Sequence, residues 1–130
     1  MKVYIAGPYS PRDTTLHGAS QIVQRNVDRA IEAFHRLKKL GHIPFVPHLT
    51  HYIHIHPSSK EDYYTWWYKY DFSFLTDWAD AIYLLDGWED SEGSKMEWKL
   101  AGELGLTIMF QNQERGEELE KEIDIDAIHI

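Results

Sequence analysis

The chain has 130 residues, enough for one hydrophobic core and too few for two, so we predict a single domain over residues 1–130. Its formal net charge of -8 argues against a nucleic-acid polymer as partner, because such binding needs Lys and Arg to displace condensed counterions. The lack of cysteine excludes disulfides, thiolate catalysis and thiolate zinc sites. A small molecule is therefore the expected ligand.

The chain opens with a short apolar strand at residues 2–6. Gly7 and Pro8 close this strand, and the polar residues 10–18 read as a loop. Because the apolar run is only a few residues long, we predict neither a signal peptide nor a membrane span, and hence a cytoplasmic location.

Helical and strand patterns alternate along the rest of the chain. Apolar residues recur at helical spacing from about Ser20 to Leu37, and Gly41 stands where a helix C-cap belongs. The later predicted elements are a strand at 43–46, an aromatic helical region at 58–78, a strand at 81–85, a helix at 94–104 and a strand at 106–110. This order predicts an α/β fold, a flavodoxin-like (Rossmann-like) doubly wound parallel sheet of four or five strands with helices on both faces. The alternating sequence IDIDAIHI is the candidate fifth strand.

The expected ligand site lies beyond the carboxyl ends of the strands, at the point where the strand order reverses. If the first and third strands are neighbours, the loops after Ala6 and Leu85 meet there. These loops belong to two distinctive segments, VYIAGPYS and LLDGWEDSEGSKMEW.

The second segment places Glu97 near the first turn of a helix. The helix dipole favours negative charge at this end, so we expect the carboxylate to stay ionised. An ionised carboxylate is the nucleophile that a retaining glycosyl transfer requires. Asp71, on the aromatic helix, is the candidate for handling the proton, and Tyr4, on the first strand, is the candidate for orienting Glu97.

Three motifs resemble the nucleoside 2-deoxyribosyltransferase family, which includes the 2'-deoxynucleoside 5'-phosphate N-hydrolase-like proteins. VYIAGPY resembles the family's first strand, DFSFL followed by ADAIYLL resembles its aspartate-bearing helix and next strand, and SEGSKME resembles its glutamate signature. The resemblance extends from about Val3 to Phe110. It implies that Glu97 is the nucleophile, that Asp71 is the catalytic aspartate and that Tyr4 is the site tyrosine.

The resemblance and the predicted crevice together give the substrate-binding candidates. Ser91, six residues before Glu97, matches the residue that contacts the 5' end of the sugar in the family. The full set of candidates is Gly7, Pro8, Tyr9, His48, Ser91, Gly93 and Ser94. As an uncharged donor beside a helix N-terminus, Ser91 favours a 5'-monophosphate over a free nucleoside.

The implied activity is cleavage of the N-glycosidic bond of a (deoxy)nucleoside or its 5'-monophosphate, or transfer of the sugar to a second base. No cofactor is expected. The resemblance implies an oligomer, because the family is oligomeric. In addition, the region from Tyr63 to Trp78 has more large aromatic rings than one helix face usually buries in a domain of this size. We therefore expect a homodimer or a higher homo-oligomer in which this region contributes to the interface.

Each candidate also has a purely structural interpretation. Ser94 as N-cap and Glu97 at the third helical position would form a capping box. Asp71 could be a surface carboxylate, and Tyr4 could be a core aromatic residue. At the level of the whole protein, the alternatives to an enzyme are a non-catalytic nucleotide-binding or sensor domain and an acidic interaction module.

The segment PHLTHYIHIH raises the question of a metal site. On an extended segment His54 and His56 share a face, whereas His48 and His51 point to opposite faces, so the imidazoles do not converge. We predict no metal site. The segment is instead expected to form a wall of the crevice, with one or two imidazoles touching the substrate.

Overall fold

The computed structural model describes residues 1–10, 18–59 and 64–113 of the chain. The strands are β1 (Lys2–Ala6), β2 (Ile43–Phe45), β3 (Ala81–Leu84) and β4 (Thr107–Phe110), and the helices are α1 (Ala19–Lys39), α2 (His51–His54), α3 (Tyr64–Asp77) and α4 (Glu92–Glu103). Short 3-10 turns cover Pro47–Thr50, Pro57–Ser59 and Trp88–Asp90. The predicted alternation of strands and helices is confirmed.

The four strands form one parallel sheet in the order β2-β1-β3-β4. Tyr4 in the middle of β1 lies opposite Phe45 of β2 on one side and Ile82 of β3 on the other. The chain passes from β1 outward to β2 and then crosses to β3 on the opposite side of β1. The order therefore reverses between β1 and β3, as in flavodoxin-like folds, which confirms the predicted fold class.

Alternation along β1 divides the core into two halves, because successive strand residues point to opposite faces of the sheet. Val3 and Ile5 pack with α1, whereas Tyr4 and Ala6 face α3 and α4. The α1 side is completed by Ala30, Ala33, Leu37, Val46, Ala81, Tyr83 and Leu85. The other side is completed by Leu75, Ile82, Leu84 and Ala101, with partly buried rings that include Phe45, Phe72 and Phe74. Helices thus cover both faces.

Two boundaries show how local chemistry ends an element. Gly41, just past α1, has a φ of 90°, and its N–H donates to the carbonyl oxygen of Lys38 at 3.0 Å. A left-handed residue here is the usual helix stop, and glycine adopts it without strain. Strand β2 ends at Phe45, because Pro47 begins a 3-10 turn.

The interpretation of residues 47–57, which contain PHLTHYIHIH, as a His-rich loop is wrong. The segment winds into a 3-10 turn, the short helix α2 and a second 3-10 turn. Apolar side chains at Leu49 and Ile53 are spaced by one helical turn, a helical signal that the four histidines obscured. The inference about which of these histidines share a face assumed an extended chain, so it does not hold.

The candidate fifth strand, IDIDAIHI, lies outside the described residues. Among residues 1–10, 18–59 and 64–113, no helix combines the length and apolar character needed to cross a bilayer.

Candidate functional site

The loops that follow β1 and β3 meet at the carboxyl edge of the sheet. The N–H of Leu85 donates to the carbonyl oxygen of Ala6 at 2.8 Å, which continues the strand pairing by one residue. Gly7 is required there, since a Cβ at this position would lie 2.7 Å from Cδ1 of Leu85. The predicted convergence of these two loops is confirmed.

A buried hydrogen bond joins Tyr4 to Glu97 on the α4 side of the sheet. The hydroxyl of Tyr4 donates to Oε2 of Glu97. The Tyr4 side chain is fully buried and packs against Phe45, with ring centroids 5.8 Å apart, and Glu97 is 8% exposed. A strand thus holds the phenol and a helix holds the carboxyl group, so both partners of the bond are fixed by regular structure.

Asp71 of α3 is the third member of this cluster. Its charge contributes to raising the pKa of both Tyr4 and Glu97. Oδ1 of Asp71 is buried and, among the described residues, has no hydrogen-bond partner. The three residues predicted to be catalytic therefore come together from β1, α3 and α4. We refer to Tyr4, Asp71 and Glu97 as the carboxyl cluster.

Burial controls the protonation of the two acids. It raises the pKa of Glu97 to about 8, against the opposing effect of the Tyr4 hydrogen bond, and the charge of Asp71 raises it further. Burial also raises the pKa of Asp71 to about 7. Desolvation penalises the charged form of an acid, so in the protein without ligand both groups favour their protonated forms more than ordinary carboxyls do.

The expectation that the helix dipole keeps Glu97 ionised is therefore wrong. Helix α4 begins at Glu92, so Glu97 lies in the second turn. The effect of the helix terminus fades beyond the first turn, and burial outweighs it.

The cap of α4 is Ser91, whose Oγ accepts a hydrogen bond from the backbone N–H of Ser94 at 3.2 Å. The alternative in which Ser94 and Glu97 form a capping box is therefore wrong, because the helix starts three residues earlier than that box requires. Glu97 is left with no capping role, and its hydrogen bond is to Tyr4. Ser91 gains a structural role that the sequence analysis did not assign.

The first turn of α4 carries two more of the candidate residues. Ser94 is 1% exposed, and its hydroxyl has no hydrogen-bond partner among the described residues. Gly93 faces Tyr68 of α3, since a Cβ on Gly93 would lie 3.5 Å from that ring. Tyr68 is thus a further residue at the α3–α4 contact.

The loop after β1 is tied down by His48. Its Nε2 lies 3.1 Å from the carbonyl oxygens of both Gly7 and Pro8, so the ring N–H donates to this backbone. Burial lowers the pKa of His48 to about 4, which outweighs these two hydrogen bonds. A neutral imidazole therefore fixes the loop, while the contact of His48 with substrate stays a prediction.

Tyr9 connects the same loop to α2 and α1 through two hydrogen bonds. The Tyr9 hydroxyl lies 2.7 Å from Nδ1 of His51, and the Tyr9 carbonyl oxygen accepts from Nδ2 of Asn26 at 2.9 Å. Asn26 was not among the residues predicted from the sequence. The signal that could have revealed it is a polar residue beside Val27 in the apolar stripe of α1, which requires a buried partner.

The described histidines of the segment PHLTHYIHIH make packing contacts and hydrogen bonds within the chain. Across the described ranges, no group of three His, Cys, Asp or Glu side chains has an arrangement that could hold a metal ion. His54 packs on Trp67 with ring centroids 4.1 Å apart and lies 3.1 Å from the hydroxyl of Thr50. These contacts pack the segment at residues 47–57 against α3.

The chain belongs to a protein family described as a domain of unknown function (DUF4406), which matches residues 1–110. The match covers the sheet, all four helices and the whole carboxyl cluster. No curated protein matches the chain. The chemistry of the site is therefore the basis for the functional argument.

Proposed function

We propose that this member of the DUF4406 family cleaves the N-glycosidic bond of (deoxy)nucleosides or their 5'-monophosphates through a covalent glycosyl-enzyme on Glu97, as in the nucleoside 2-deoxyribosyltransferases and nucleotide N-hydrolases that the sequence resembles. The observation that supports this most is the buried Tyr4–Glu97 hydrogen bond with Asp71 beside it. Two neighbouring carboxyls taken out of water destabilise a fold, and acids with strongly shifted pKa values are typical of catalytic sites.

The proposed reaction uses each member of the carboxyl cluster. A carboxylate oxygen of Glu97 attacks C1' of the sugar, the bond from C1' to the base nitrogen breaks, and its electron pair leaves with the base. Asp71 supplies the proton that the departing base takes up. Water or a second base then attacks C1' and gives up its proton to the Asp71 carboxylate, while the ester bond to Glu97 breaks. The first acceptor gives hydrolysis and the second gives transfer.

The Tyr4 hydroxyl orients the nucleophile. Burial, the negative charges of Glu97 and Asp71 and the hydrogen bond to Glu97 raise the pKa of Tyr4 well above its ordinary value. The phenol therefore stays protonated and keeps donating to Glu97. This hydrogen bond stabilises the ionised carboxylate, and a sugar with developing positive charge at C1' stabilises it further.

The active form of the pair carries one proton, on Asp71, with Glu97 ionised. The pKa values of about 7 for Asp71 and about 8 for Glu97 belong to interacting acids, so the pair titrates as a unit. Near neutral pH the pair therefore holds at least one proton. Because the pKa of Asp71 is the lower of the two, that proton is mainly on Glu97 before substrate binds, and the positive charge that develops at C1' favours the form with the proton on Asp71 and the charge on Glu97.

The placement of Ser91 supports a preference for a 5'-monophosphate. Its Oγ accepts from the backbone of Ser94, which leaves the hydroxyl hydrogen available to donate at the start of α4. The neighbouring acids Glu89, Asp90 and Glu92 are exposed, so solvent screens their repulsion of a phosphate. Under the proposal, kcat/KM should be higher for a nucleotide than for its nucleoside.

An exposed apolar surface supports the proposed homodimer. Large side chains of β2, α2 and their neighbours are at least half exposed, namely Ile43, Tyr52, Ile53, Ile55 and Trp66. One of them, Ile53, lines a groove of about 320 Å³ whose other lining residues are mainly apolar, among them Phe45 and Tyr70. Exposed large apolar side chains together with an apolar groove are typical of an association surface. Sedimentation at micromolar concentration should give a dimer or larger, and only monomer would contradict the proposal.

The enzyme proposal is tested by incubating the protein with ribonucleosides, deoxyribonucleosides and their 5'-monophosphates and measuring free base by chromatography. A 2-fluoro-sugar analogue should trap an adduct whose mass maps to the peptide containing Glu97, because fluorine slows the breakdown of the ester. The Glu97→Gln variant should form no adduct. If a nucleotide binds and is recovered intact, the protein is a sensor domain and the proposed reaction is wrong.

A further inference from the structure

Ser94 presents a buried hydroxyl that nothing in the described chain explains. The residue is 1% exposed, and its Oγ has no hydrogen-bond partner among the described residues. A serine inside a helix ordinarily satisfies its hydroxyl by donating to the carbonyl oxygen four residues earlier. Ser94 makes no such bond, and its backbone N–H is already bonded to Ser91. A buried hydroxyl left unpaired destabilises a fold, so it calls for a reason.

The position of Ser94 places this hydroxyl beside the proposed nucleophile. The buried residues of α4 are Ser94, Glu97 and Ala101, and their spacing puts them on one stripe that faces the sheet. Helix α4 connects two parallel strands, so it runs opposite to them and begins at their carboxyl ends. Ser94 therefore lies one turn closer than Glu97 to the edge where a ligand approaches.

The stereochemistry of a nucleoside determines what such a hydroxyl would meet. The base of a β-nucleoside leaves from one face of the sugar ring, so a carboxylate attacks C1' from the opposite face. The 2'-hydroxyl of ribose projects from that same face, on the carbon next to C1'. A donor held one helical turn from the attacking carboxylate lies on the side of the ring that carries this hydroxyl, and the carbon of the 3'-hydroxyl is one bond further from C1'.

We propose that Ser94 is a specificity-determining residue that donates a hydrogen bond to the substrate 2'-hydroxyl, so that ribosides are preferred over 2'-deoxyribosides. The inference rests on the proposed function and adds to it the class of sugar. A site that leaves a polar group buried for the substrate to satisfy rejects analogues that lack the matching group. The preference for ribose is the expected consequence.

The test compares kcat/KM for base release from a nucleoside 5'-monophosphate, its 2'-deoxy analogue and its 3'-deoxy analogue, each with the same base. The wild type should favour the ribose form over the 2'-deoxy form by about tenfold or more, the value of one hydrogen bond that would otherwise be unpaired. Ser94→Ala should reduce that ratio by about tenfold, and Ser94→Thr should restore much of it. Ser73→Ala, at an exposed serine of α3, is the matched control and should leave the ratio as in the wild type.

A second measurement separates this role from a structural one. Because the Ser94 hydroxyl has no hydrogen-bond partner among the described residues, Ser94→Ala should leave the thermal midpoint of the ligand-free protein unchanged or raise it. A marked fall would show that the hydroxyl has a structural partner and would overturn the inference. Base release that favours the 2'-deoxy substrate, or a loss that tracks the 3'-hydroxyl, would overturn it while leaving the proposed reaction intact. No base release from any substrate would overturn both.

Discussion

The two faces of the sheet carry different kinds of core. On the α1 face, β1 contributes Val3 and Ile5 to a cluster made of apolar side chains. On the α3–α4 face the same strand contributes Tyr4, and two further polar residues, Glu97 and Ser94, are buried close by. Alternate residues of one five-residue strand thus face two different environments, one apolar and one with buried polar groups.

The difference separates stability from chemistry. An apolar face gains free energy from every group removed from water. On the other face, part of that gain is offset because carboxyls and a hydroxyl are buried there with few hydrogen-bond partners. Stabilising burial on one side allows a destabilising site on the other, which predicts that substitutions on the two faces have opposite consequences.

The largest effect should come from the carboxyl cluster. Glu97→Gln keeps the shape of the side chain but cannot form a bond to C1', so base release should fall by at least about 10³-fold. Asp71→Asn should lose roughly 10² to 10⁴-fold through impaired proton transfer and should form the trapped adduct more slowly. Glu103→Gln, at an exposed position of α4, is the control. Near wild-type base release by Glu97→Gln would refute the nucleophile assignment.

On the α1 face, Leu37→Ala should reduce stability and leave activity intact, which is the opposite of the effect expected in the carboxyl cluster. Leu37 is 1% exposed, so the truncation leaves a cavity and should lower the free energy of unfolding by roughly 2 to 5 kcal/mol. Activity per folded molecule should stay close to wild type. Leu40→Ala, at a leucine that is 57% exposed, should change stability by less than about 0.5 kcal/mol. Equal losses in the two variants would mean that the α1 face is not a packed core.

The pH dependence of stability sharpens the contrast. The pKa of Glu97 rises from its ordinary value of 4.5 to about 8 on folding, so the stabilisation from keeping its proton is present below 4.5 and is lost as the pH rises through 8. Glu97→Gln removes this loss. Relative to wild type, its free energy of unfolding should therefore gain roughly 1 to 3 kcal/mol between about pH 4 and about pH 9.

Denaturant unfolding at the two pH values measures this difference, and Glu103→Gln again serves as the control. A difference between Glu97→Gln and wild type that does not change with pH would show that Glu97 titrates normally in the folded protein.

The smallest expected effect is at the helix cap. Ser91→Ala removes the hydrogen bond to the N–H of Ser94 and should lower the free energy of unfolding by about 1 kcal/mol. Ser91→Asp retains a cap and should recover that stability, while its added negative charge should reduce the preference for 5'-monophosphates. If Ser91→Ala changes nucleotide preference without any loss of stability, the cap contributes little.

Much of the fold could be predicted because local signals agreed with the global pattern. The first strand was predicted at residues 2–6, as observed, since an apolar run ended at Gly7-Pro8. Helix α1 had an apolar stripe and a glycine stop at Gly41. The segment at 47–57 was missed because histidines, which are neither clearly apolar nor turn-forming, hid the helical spacing of Leu49 and Ile53.

The sequence predicted which residues of the site come together better than it predicted the helix boundary and the protonation around them. Tyr4, Asp71 and Glu97 were named from the sequence, and the structure brings them together. The start of α4 was misplaced, because Ser94 and Glu97 have capping-box spacing whereas the cap is Ser91. The protonation of Glu97 was also missed, since burial depends on the packing of three distant elements and cannot be seen in one segment. Boundaries and electrostatics are thus where tertiary structure adds most.

The Gly7 contact bears on how relatives of this chain should be interpreted. A Cβ at position 7 would lie 2.8 Å from Cβ of Leu85 as well as 2.7 Å from its Cδ1, so no choice of side chain at position 85 other than glycine relieves the clash. A chain that keeps this strand pairing and a residue other than glycine at position 85 must therefore keep a glycine at position 7, whether or not it has a catalytic site. The glycine in VYIAGPY therefore reports on backbone packing, and under the proposed function the residues of the carboxyl cluster are the ones that would distinguish active relatives from inactive ones.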